Sequence, residues 1–321
     1  MTEAVLRVSV VMTCYNEGPW IGAAVRSVLD QTRADLIEDI VIADDGSDEA
    51  TLAVLRDIEG WEGRIRVLYG PGGRGVPAQR NWAIGEGAAP LIAILDGDDL
   101  WAADKLERQV PAFADPDVGL CYSDFSLFGG EDPSTARRAG VKDITATRDL
   151  TRAYFLNDPP IVPSTVVLRR TAMADSGGFD PTVRIFEDTD LFVRLSRICR
   201  FALVDASLLL KRNRSSSITG GRRDLMAHHA LVAFRAAAAE PRLLPLVPQR
   251  LAERARKLGN QHFLMDDLAG SAAFYGLALR LQPTNPATWA GAVLTGPFGA
   301  PLRAVLRGKL QRRRAALGVS K

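Results

Sequence analysis

The segment PLIAILDGDDLW, Pro90 to Trp101, begins as a continuous apolar run, Leu91 to Leu95, between a proline and Gly97. Its length and flanks predict a strand buried on both faces, the kind from which parallel sheets are built. Asp96, Asp98 and Asp99 then arrive within four residues. They fall at the strand's C-terminal end, where open α/β sheets hold their ligands. Carboxylates this close repel one another unless a cation neutralises them. Hard oxygen ligands shared with a diphosphate are the usual seat of Mg²⁺ or Mn²⁺. A solvated Asp/Gly turn has the same composition, so the rest of the chain has to decide between the two.

Upstream the same pattern recurs. Val8 to Cys14 is β-branched and continuous, which predicts a buried first strand. It ends in Tyr15-Asn16-Glu17-Gly18; Pro19 suits a first helical turn, and Ile21, Val25, Val28 and Leu29 recur on one helical face. Ile40 to Ala43 predicts a second strand, Asp44 to Asp48 a turn, and Thr51 to Ile58 a short helix. Ile65 to Tyr69 predicts a third strand, running into the glycine-rich Gly70 to Gly75 and a helix from Val76 or Pro77 to about Glu86. Strands alternating with helices of this length imply a largely parallel sheet. Parallel strands set their C-terminal ends along one edge, so Asn16, Asp45, Asp96 and Asp98 can converge although far apart in sequence.

The bulk numbers set bounds. A chain of 321 residues holds one large domain plus an appendage, or two modest domains. Hydrophobic content of 47% and charged content of 24% are ordinary for a soluble globular protein, and a net charge of +2 says little about partners. Cys14, Cys121 and Cys199 lie in apolar runs without CxxC spacing. They read as buried free thiols of a reducing compartment. There is no secretory signal and no apolar stretch of about twenty residues, so the expected location is cytoplasmic.

TCYNE, ADDGSDEAT, QRNWAIGEG and ILDGDDLW, in this order and spacing, resemble the family-2 glycosyltransferases of the GT-A fold over roughly residues 7 to 220. The resemblance implies an α/β fold, a Rossmann-like and mostly parallel central sheet flanked by helices, with the nucleotide of a sugar donor across the first strands. It places Tyr15 and Glu17 at the base and Asp45 at base or ribose. Arg80 and Asn81 would hold the nucleoside, and Asp96 and Asp98 would form the aspartate-x-aspartate motif, Asp96 towards the ribose and Asp98 on Mg²⁺ or Mn²⁺. Asp45 could instead cap the next helix, and Arg80 could pair with Glu86 on its own helix. The glycines from Gly70 to Gly75 lack GxGxxG spacing and read as turn residues.

Beyond Trp101, Lys105 to Phe113 reads as a helix, Val118 to Tyr122 as a strand, and Asp124 with the Gly129 to Arg138 region as a polar excursion long enough to be a mobile loop. Tyr154 to Pro163 is bracketed by prolines before another strand, Ser164 to Leu168. GGFD, Gly177 to Asp180, precedes FEDTDLF, Phe186 to Phe192, which opens a helix with the apolar face Leu191, Leu195 and Ile198. Acids in a first helical turn complement the helix dipole, and the diglycine lets backbone approach a ligand closely. This part also resembles the family's acceptor segment, where the aspartate in the position of Asp188 is general base on the acceptor hydroxyl; Glu187 and Asp190 are the alternatives. One base and no protein nucleophile imply inversion. In KRNRSSSIT, Lys211 to Thr219, the chain keeps Arg212, Ser217 and Thr219 but has Arg214 where the family often carries histidine. That guanidinium would bind diphosphate oxygens directly.

The expected organisation is a GT-A catalytic domain over 1–220, with a nucleotide-sugar half 1–101 and an acceptor half 102–220. A helical extension over 221–300 carries one tetratricopeptide-like hairpin within Ala252 to Trp289. It would pack on the catalytic domain or a sister subunit, which leaves a homo-oligomer open. The tail 301–321 holds Arg303, Arg307, Lys309, Arg312, Arg313, Arg314 and Lys321 and no acid. With Leu302, Val305, Leu306 and Leu310 at helical spacing, it reads as a basic amphipathic helix suited to the inner face of an anionic membrane, or as a solvated terminus. The expected reaction moves a sugar from a nucleotide-diphosphate donor, UDP-linked by preference, to a saccharide or lipid-linked saccharide. The rival classes are a non-catalytic nucleotide-sugar-binding protein and a sugar-phosphate nucleotidyltransferase. The second would want a glycine-rich basic loop where TCYNEG stands. Basic residues gathered at one terminus without aromatic interleaving speak against nucleic acid.

Overall fold

A computed structural model describes residues 6–129, 132–157, 161–213, 225–296, 299–301 and 303. The apolar runs of the first hundred residues form β1 (Val8–Cys14), β2 (Ile37–Asp44), β3 (Ile65–Tyr69) and β4 (Leu91–Asp96). These strands pair in parallel, β1 with β2 and β4, and β2 with β3. The helices between them are α1 (Gly18–Leu29), α2 (Glu49–Glu59) and α3 (Val76–Glu86). Ile21, Ala24, Val25 and Val28 form the buried face of α1. Asp48, rather than Asp45, caps α2 by accepting the Thr51 amide at 2.8 Å.

The second half departs further from expectation. After β5 (Leu100–Trp101), α4 (Lys105–Gln109) stops early, and residues 110–114 continue as a 3₁₀ turn where Pro111 cannot extend the helix ladder. β6 runs from Val118 to Gly129, well past Tyr122. Its polar residues stay inside the sheet because Asp124 is saturated by the Phe125 amide at 2.8 Å, the Gly140 and Val141 amides at 3.1 Å and Arg138 Nε at 2.6 Å. Arg138 belongs to the short β7 (Arg137–Arg138), and α5 (Leu150–Asn157) follows. Ser164 sits in a 3₁₀ turn before β8 (Val167–Arg169), which runs antiparallel to both β4 and β6. α6 (Arg170–Asp175) and α7 (Glu187–Leu195) lead to the long strand β9 (Arg200–Asn213). Ile198 lies beyond the end of α7 and is exposed.

The nine strands make one mixed sheet in the order β3-β2-β1-β4-β8-β6-β9-β5, with β7 on β6. β9 pairs in parallel with β6 and antiparallel with β5, through Leu100 with Leu210 and Trp101 with Leu209. That last pairing brings a segment from residue 210 back beside the acidic turn of 96–99.

The chain divides into two compact units, one of residues 1–154 and 158–220 and one of 155–157 and 221–321. In the second, the described residues form α8 (Leu225–Ala239), a 3₁₀ turn, α9 (Val247–Leu264), α10 (Leu268–Leu281) and α11 (Pro286–Thr295). Tyr275 of α10 reaches Asn260 of α9 through its hydroxyl, and Ser271 donates to the Gly259 carbonyl at 2.7 Å. Most of the tail lies outside the described residues.

Lys105 is fully buried in the first unit, donating to Gln109 and, at 2.9 Å, to the Thr165 carbonyl, with its ammonium over the Trp101 ring. Desolvation pushes its pKa down to about 7. The unfolded value is about 10.4, so between those limits the unfolded chain binds the additional proton. Stability from this site therefore rises with pH from about 7 to about 10 and is lost again as pH falls back through the same window. Urea titrations of wild type and Lys105→Met across this window should show a difference in unfolding free energy that grows in favour of wild type. A difference that stays flat would exclude the buried amine as its source.

Candidate active site

Thr13 of β1 pairs with Asp96, the last residue of β4, at the C-terminal rim, and from there the chain closes a cavity of about 420 Å³. Its wall includes Thr13, Glu17, Arg80, Asp96 and Asp98 together with Arg184 to Asp188 and Lys211 to Asn213. The volume lies within the usual range for small-molecule sites.

At the centre stands Arg80 on α3, 3% exposed. It donates through Nη2 to Asp96 Oδ1 at 2.6 Å and through Nη1 to Glu187 Oε1 at 2.8 Å. Its guanidinium also faces the Phe179 ring at 5.3 Å. The alternative partner, Glu86, is held by Arg66 instead. Burial would weaken Arg80's proton affinity, but the flanking Asp96 and Glu187 carboxylates raise it above the ordinary value. Burial likewise opposes charge on Asp96; Arg80, Lys211 and the Ser164 bond to this residue outweigh it and hold the carboxyl below its usual range.

Gly97 separates the aspartates because there is no room for a side chain: a Cβ there would strike Glu17 Oε2 and approach the Thr13 carbonyl at 3.1 Å. Asp98 is buried at the cavity wall, with its carbonyl accepting Arg212 Nε at 3.2 Å. Asp99 points the other way. It is fully buried, accepts Ser164 Oγ at 2.8 Å and the Arg212 amide at 3.0 Å, and lies 3.6 Å from Lys211 Nζ. Burial, with Asp98 and Asp96 nearby, pushes its pKa up to about 6 against the pull of Lys211.

The acids of FEDTD have separate partners. Glu187 is taken by Arg80; Asp190 is buried and taken by Arg194 at 2.8 Å. Asp188 lines the cavity and accepts its neighbour's amide, Thr189 N, at 2.6 Å. Burial raises the Asp188 pKa, with Arg80 and the Thr189 amide opposing; burial and Asp188 together push Glu187 up to about 7. A carboxylate made more basic in this way suits proton abstraction. Phe186, which precedes them, has φ of 63°, an uncommon and strained backbone for a bulky residue.

Three of the expected donor-side residues do not line this cavity. Tyr15 is 60% exposed. Asp45 braces the glycine loop, accepting the Arg74 amide at 3.0 Å, the Gly75 amide at 2.8 Å and Gln79 Nε2 at 2.7 Å. Asn81 is clamped to the Phe179 backbone, donating to its carbonyl at 2.7 Å and accepting its amide at 3.0 Å. The diglycine serves the same junction: Gly178, with φ of 72°, lies against Asn81, where a Cβ would meet Oδ1 at 3.0 Å. Arg214 lies outside the described residues. Conversely, Lys211, Arg184 and Ser164 carry no assignment from sequence. The basic KRNR run was the signal for Lys211, but only the β5–β9 pairing reveals which acids it meets.

The donor set offers a divalent ion oxygen ligands. With Asp96 spent on Arg80, Asp98 is the wall carboxylate of the motif that could take one. Among the described residues no group of three or more His, Cys, Asp or Glu side chains could hold a metal alone. Mg²⁺-type sites are commonly completed by one or two carboxylates plus substrate phosphates, so these residues fit an ion that arrives with a diphosphate.

A mixed sheet with its acidic rim at the ends of β1, β2 and β4, helices on its flanks and a helical C-terminal region is the GT-A fold. The model of glycosyl transferase family 2 matches residues 9–177, and the chain belongs to that family. UDP-Glc:alpha-D-GlcNAc-diphosphoundecaprenol beta-1,3-glucosyltransferase WfgD of Escherichia coli is 32% identical over 166 residues, 52% of this chain and 61% of that protein. The succinoglycan biosynthesis protein ExoU of Rhizobium meliloti is 25% identical, over 94% of this chain and 93% of its own. The putative teichuronic acid biosynthesis glycosyltransferase TuaG of Bacillus subtilis is 33% identical over 37% of this chain and 47% of that protein. The chain thus spans less than two thirds of WfgD and of TuaG. Among solved structures, S. aureus TarS 1–349 in complex with UDP-GlcNAc aligns with a TM-score of 0.62 at 16% identity, covering 94% of this chain and 92% of that one. The mannosyltransferase PcManGT from Pyrobaculum calidifontis, in complex with GDP-Man and Mn²⁺, aligns with a TM-score of 0.57 at 18% identity, over 98% and 86%.

Replacing Arg80 by Met should leave two half-buried carboxylates without their counter-charge and destabilise the first unit by about 3 kcal/mol. Arg80→Lys should recover only part of this, since an ammonium cannot fork between two acids. Guanidinium-chloride unfolding of the three proteins measures both effects.

Proposed function

We propose that the chain transfers a sugar from a nucleotide-diphosphate donor, a UDP-sugar, to a saccharide or lipid-linked saccharide with inversion, in the assembly of cell-surface polysaccharide. The observation that carries this reading is the single cavity shared by Asp98, at the donor rim, and Asp188, on α7. WfgD's name specifies a UDP-glucose donor and a diphosphoundecaprenol-linked acceptor, TarS is solved with UDP-GlcNAc, and ExoU and TuaG are named for polysaccharide biosynthesis.

In this reading the donor's diphosphate lies between the rim aspartates and the end of β9, with Asp96 towards the ribose and Glu17 and Tyr15 towards the base. Asp188 accepts the proton of the acceptor hydroxyl as its oxygen bonds the anomeric carbon, while the bond from that carbon to the diphosphate breaks. Attack comes from the face opposite the leaving group, so the anomeric centre inverts. Asp188's raised basicity favours that transfer, and Arg80 keeps Glu187 from competing as base. Asp98 would hold Mg²⁺ or Mn²⁺, which supplies Lewis-acid charge to the departing diphosphate. The proposed division remains a catalytic domain over 1–220, a helical extension over 221–300 and a basic tail.

The tail gives the reading a place to act. α11 contains no charged residue and exposes Trp289 and Val293; after it come seven basic residues and no acid. Aromatic and aliphatic surface followed by positive charge suits an anionic lipid interface, where a lipid-linked acceptor would reside. No helix among the described residues is long and apolar enough to cross a membrane.

A panel of nucleotide sugars with saccharide and lipid-diphosphate acceptors, assayed with Mn²⁺, tests the reaction. Asp188→Asn should lower kcat roughly 10²- to 10⁴-fold while UDP binding, read by calorimetry, stays within a few-fold. A variant that turns over normally would remove Asp188 from the role of base. Separately, the full chain should co-sediment with phosphatidylglycerol-containing liposomes and a chain ending at Gly299 should do so less; equal sedimentation would end the membrane reading.

A further inference from the structure

The cavity wall presents five carboxylates, on Glu17, Asp96, Asp98, Glu187 and Asp188, with Asp99 close behind. A nucleoside diphosphate brings further negative charge into this acidic basin. Several cations of the wall already have work inside the fold. Arg80 is forked between Asp96 and Glu187. Arg212 donates through Nε to the Asp98 carbonyl and lays its guanidinium over the Phe128 ring at 4.6 Å. Arg184 is exposed and donates to the Gly73 carbonyl at 3.3 Å.

Lys211 differs. The antiparallel pairing of β5 with β9 ends at Leu100 and Leu210, and so sets the next residue of β9 beside the acidic turn. Its ammonium stands 3.6 Å from Asp99 Oδ2, close enough to feel that charge and too far to hydrogen-bond it. Asp99 has already accepted Ser164 Oγ and the Arg212 amide. Lys211 is 30% exposed, into the cavity it lines. Three charged donors are therefore held in place by electrostatics while their hydrogens remain available to a ligand. A compact ammonium on a flexible stem is well suited to phosphate oxygens that shift as a bond breaks.

We propose that Lys211 is the protein's own cation for the donor, binding the distal phosphate of the nucleoside diphosphate and stabilising its charge as it leaves. The proposal rests on the glycosyltransferase reading above and adds a residue to it. Charge neutralisation is then divided between an ion at Asp98 and a permanent cation at the end of β9. Two consequences follow: part of the diphosphate affinity survives removal of divalent ions, and that part depends on the second phosphate.

Calorimetric titration of UDP and UMP in EDTA and then in Mn²⁺, on wild type, Lys211→Met and Lys211→Arg, tests this; GDP and GMP run in parallel cover the other nucleobase. In EDTA the wild type should prefer the diphosphate to the monophosphate by roughly 10-fold or more, the scale of one charge-assisted contact. Lys211→Met should lose that preference and Lys211→Arg should keep most of it. Thermal melts without nucleotide check that the variants fold. If the methionine variant does not, the wild type's own ratio in EDTA still decides. No diphosphate preference in the wild type, or an undiminished one in Lys211→Met, overturns the assignment of Lys211 while leaving the donor reading intact. Absence of any nucleotide binding even with Mn²⁺ would instead sink the donor reading, and this proposal with it.

Discussion

One buried guanidinium ties the end of β4 to the start of α7. Arg80 rises from α3 and spans from Asp96, at the end of β4, to Glu187, at the start of α7. Ion pairs away from water are expensive to assemble, and Arg80 Nε is buried with no hydrogen-bond partner among the described residues. Stability alone is a poor reason for such an arrangement. What it does achieve is geometric: a planar fork fixes the distance between the acidic turn after β4 and the acids that open α7. It also sorts those acids, because Glu187 goes to Arg80 and Asp190 to Arg194, leaving Asp188 at the cavity wall with no ion pair to an arginine among the described residues.

The surrounding hydrogen bonds extend this division of labour. Asp45, Asn81 and Asp99 each sit beside the site, and each spends its polar atoms on backbone or neighbouring side chains: the glycine loop, the Phe179 turn, and Ser164 with the Arg212 amide. These residues keep irregular loops in place at the ends of regular strands. Buried polar groups demand such partners, and once satisfied they define where the remaining groups can point.

Much of the first hundred residues was legible in order. Period and composition place β1, β3 and α3 at the observed limits, because continuous β-branched runs and a proline at a first helical turn are local signals. Of the four residues that parallel strand direction was expected to gather, Asn16, Asp45, Asp96 and Asp98, the last two line the cavity and the first two do not. Beyond Trp101 the local signals weaken. β6 carries Ser123, Asp124 and Ser126 through the middle of a sheet, and only the distant Arg138, Gly140 and Val141 make that possible. The polar run read as a loop because its hydrogen-bond partners cannot be seen from within it.

The same distinction separates the residue types of the site from their tasks. Sequence by itself determined the family, the strand–helix alternation and the two acidic turns, since each is written in contiguous residues whose chemistry is local. It could not tell which acid of a turn would be neutralised, or that a lysine from residue 211 would stand beside the aspartates of 96–99. Those outcomes were decided by tertiary structure, through strand pairings and ion pairs that join segments about a hundred residues apart. Charges interact through space at a few ångströms, and the fold alone sets those distances.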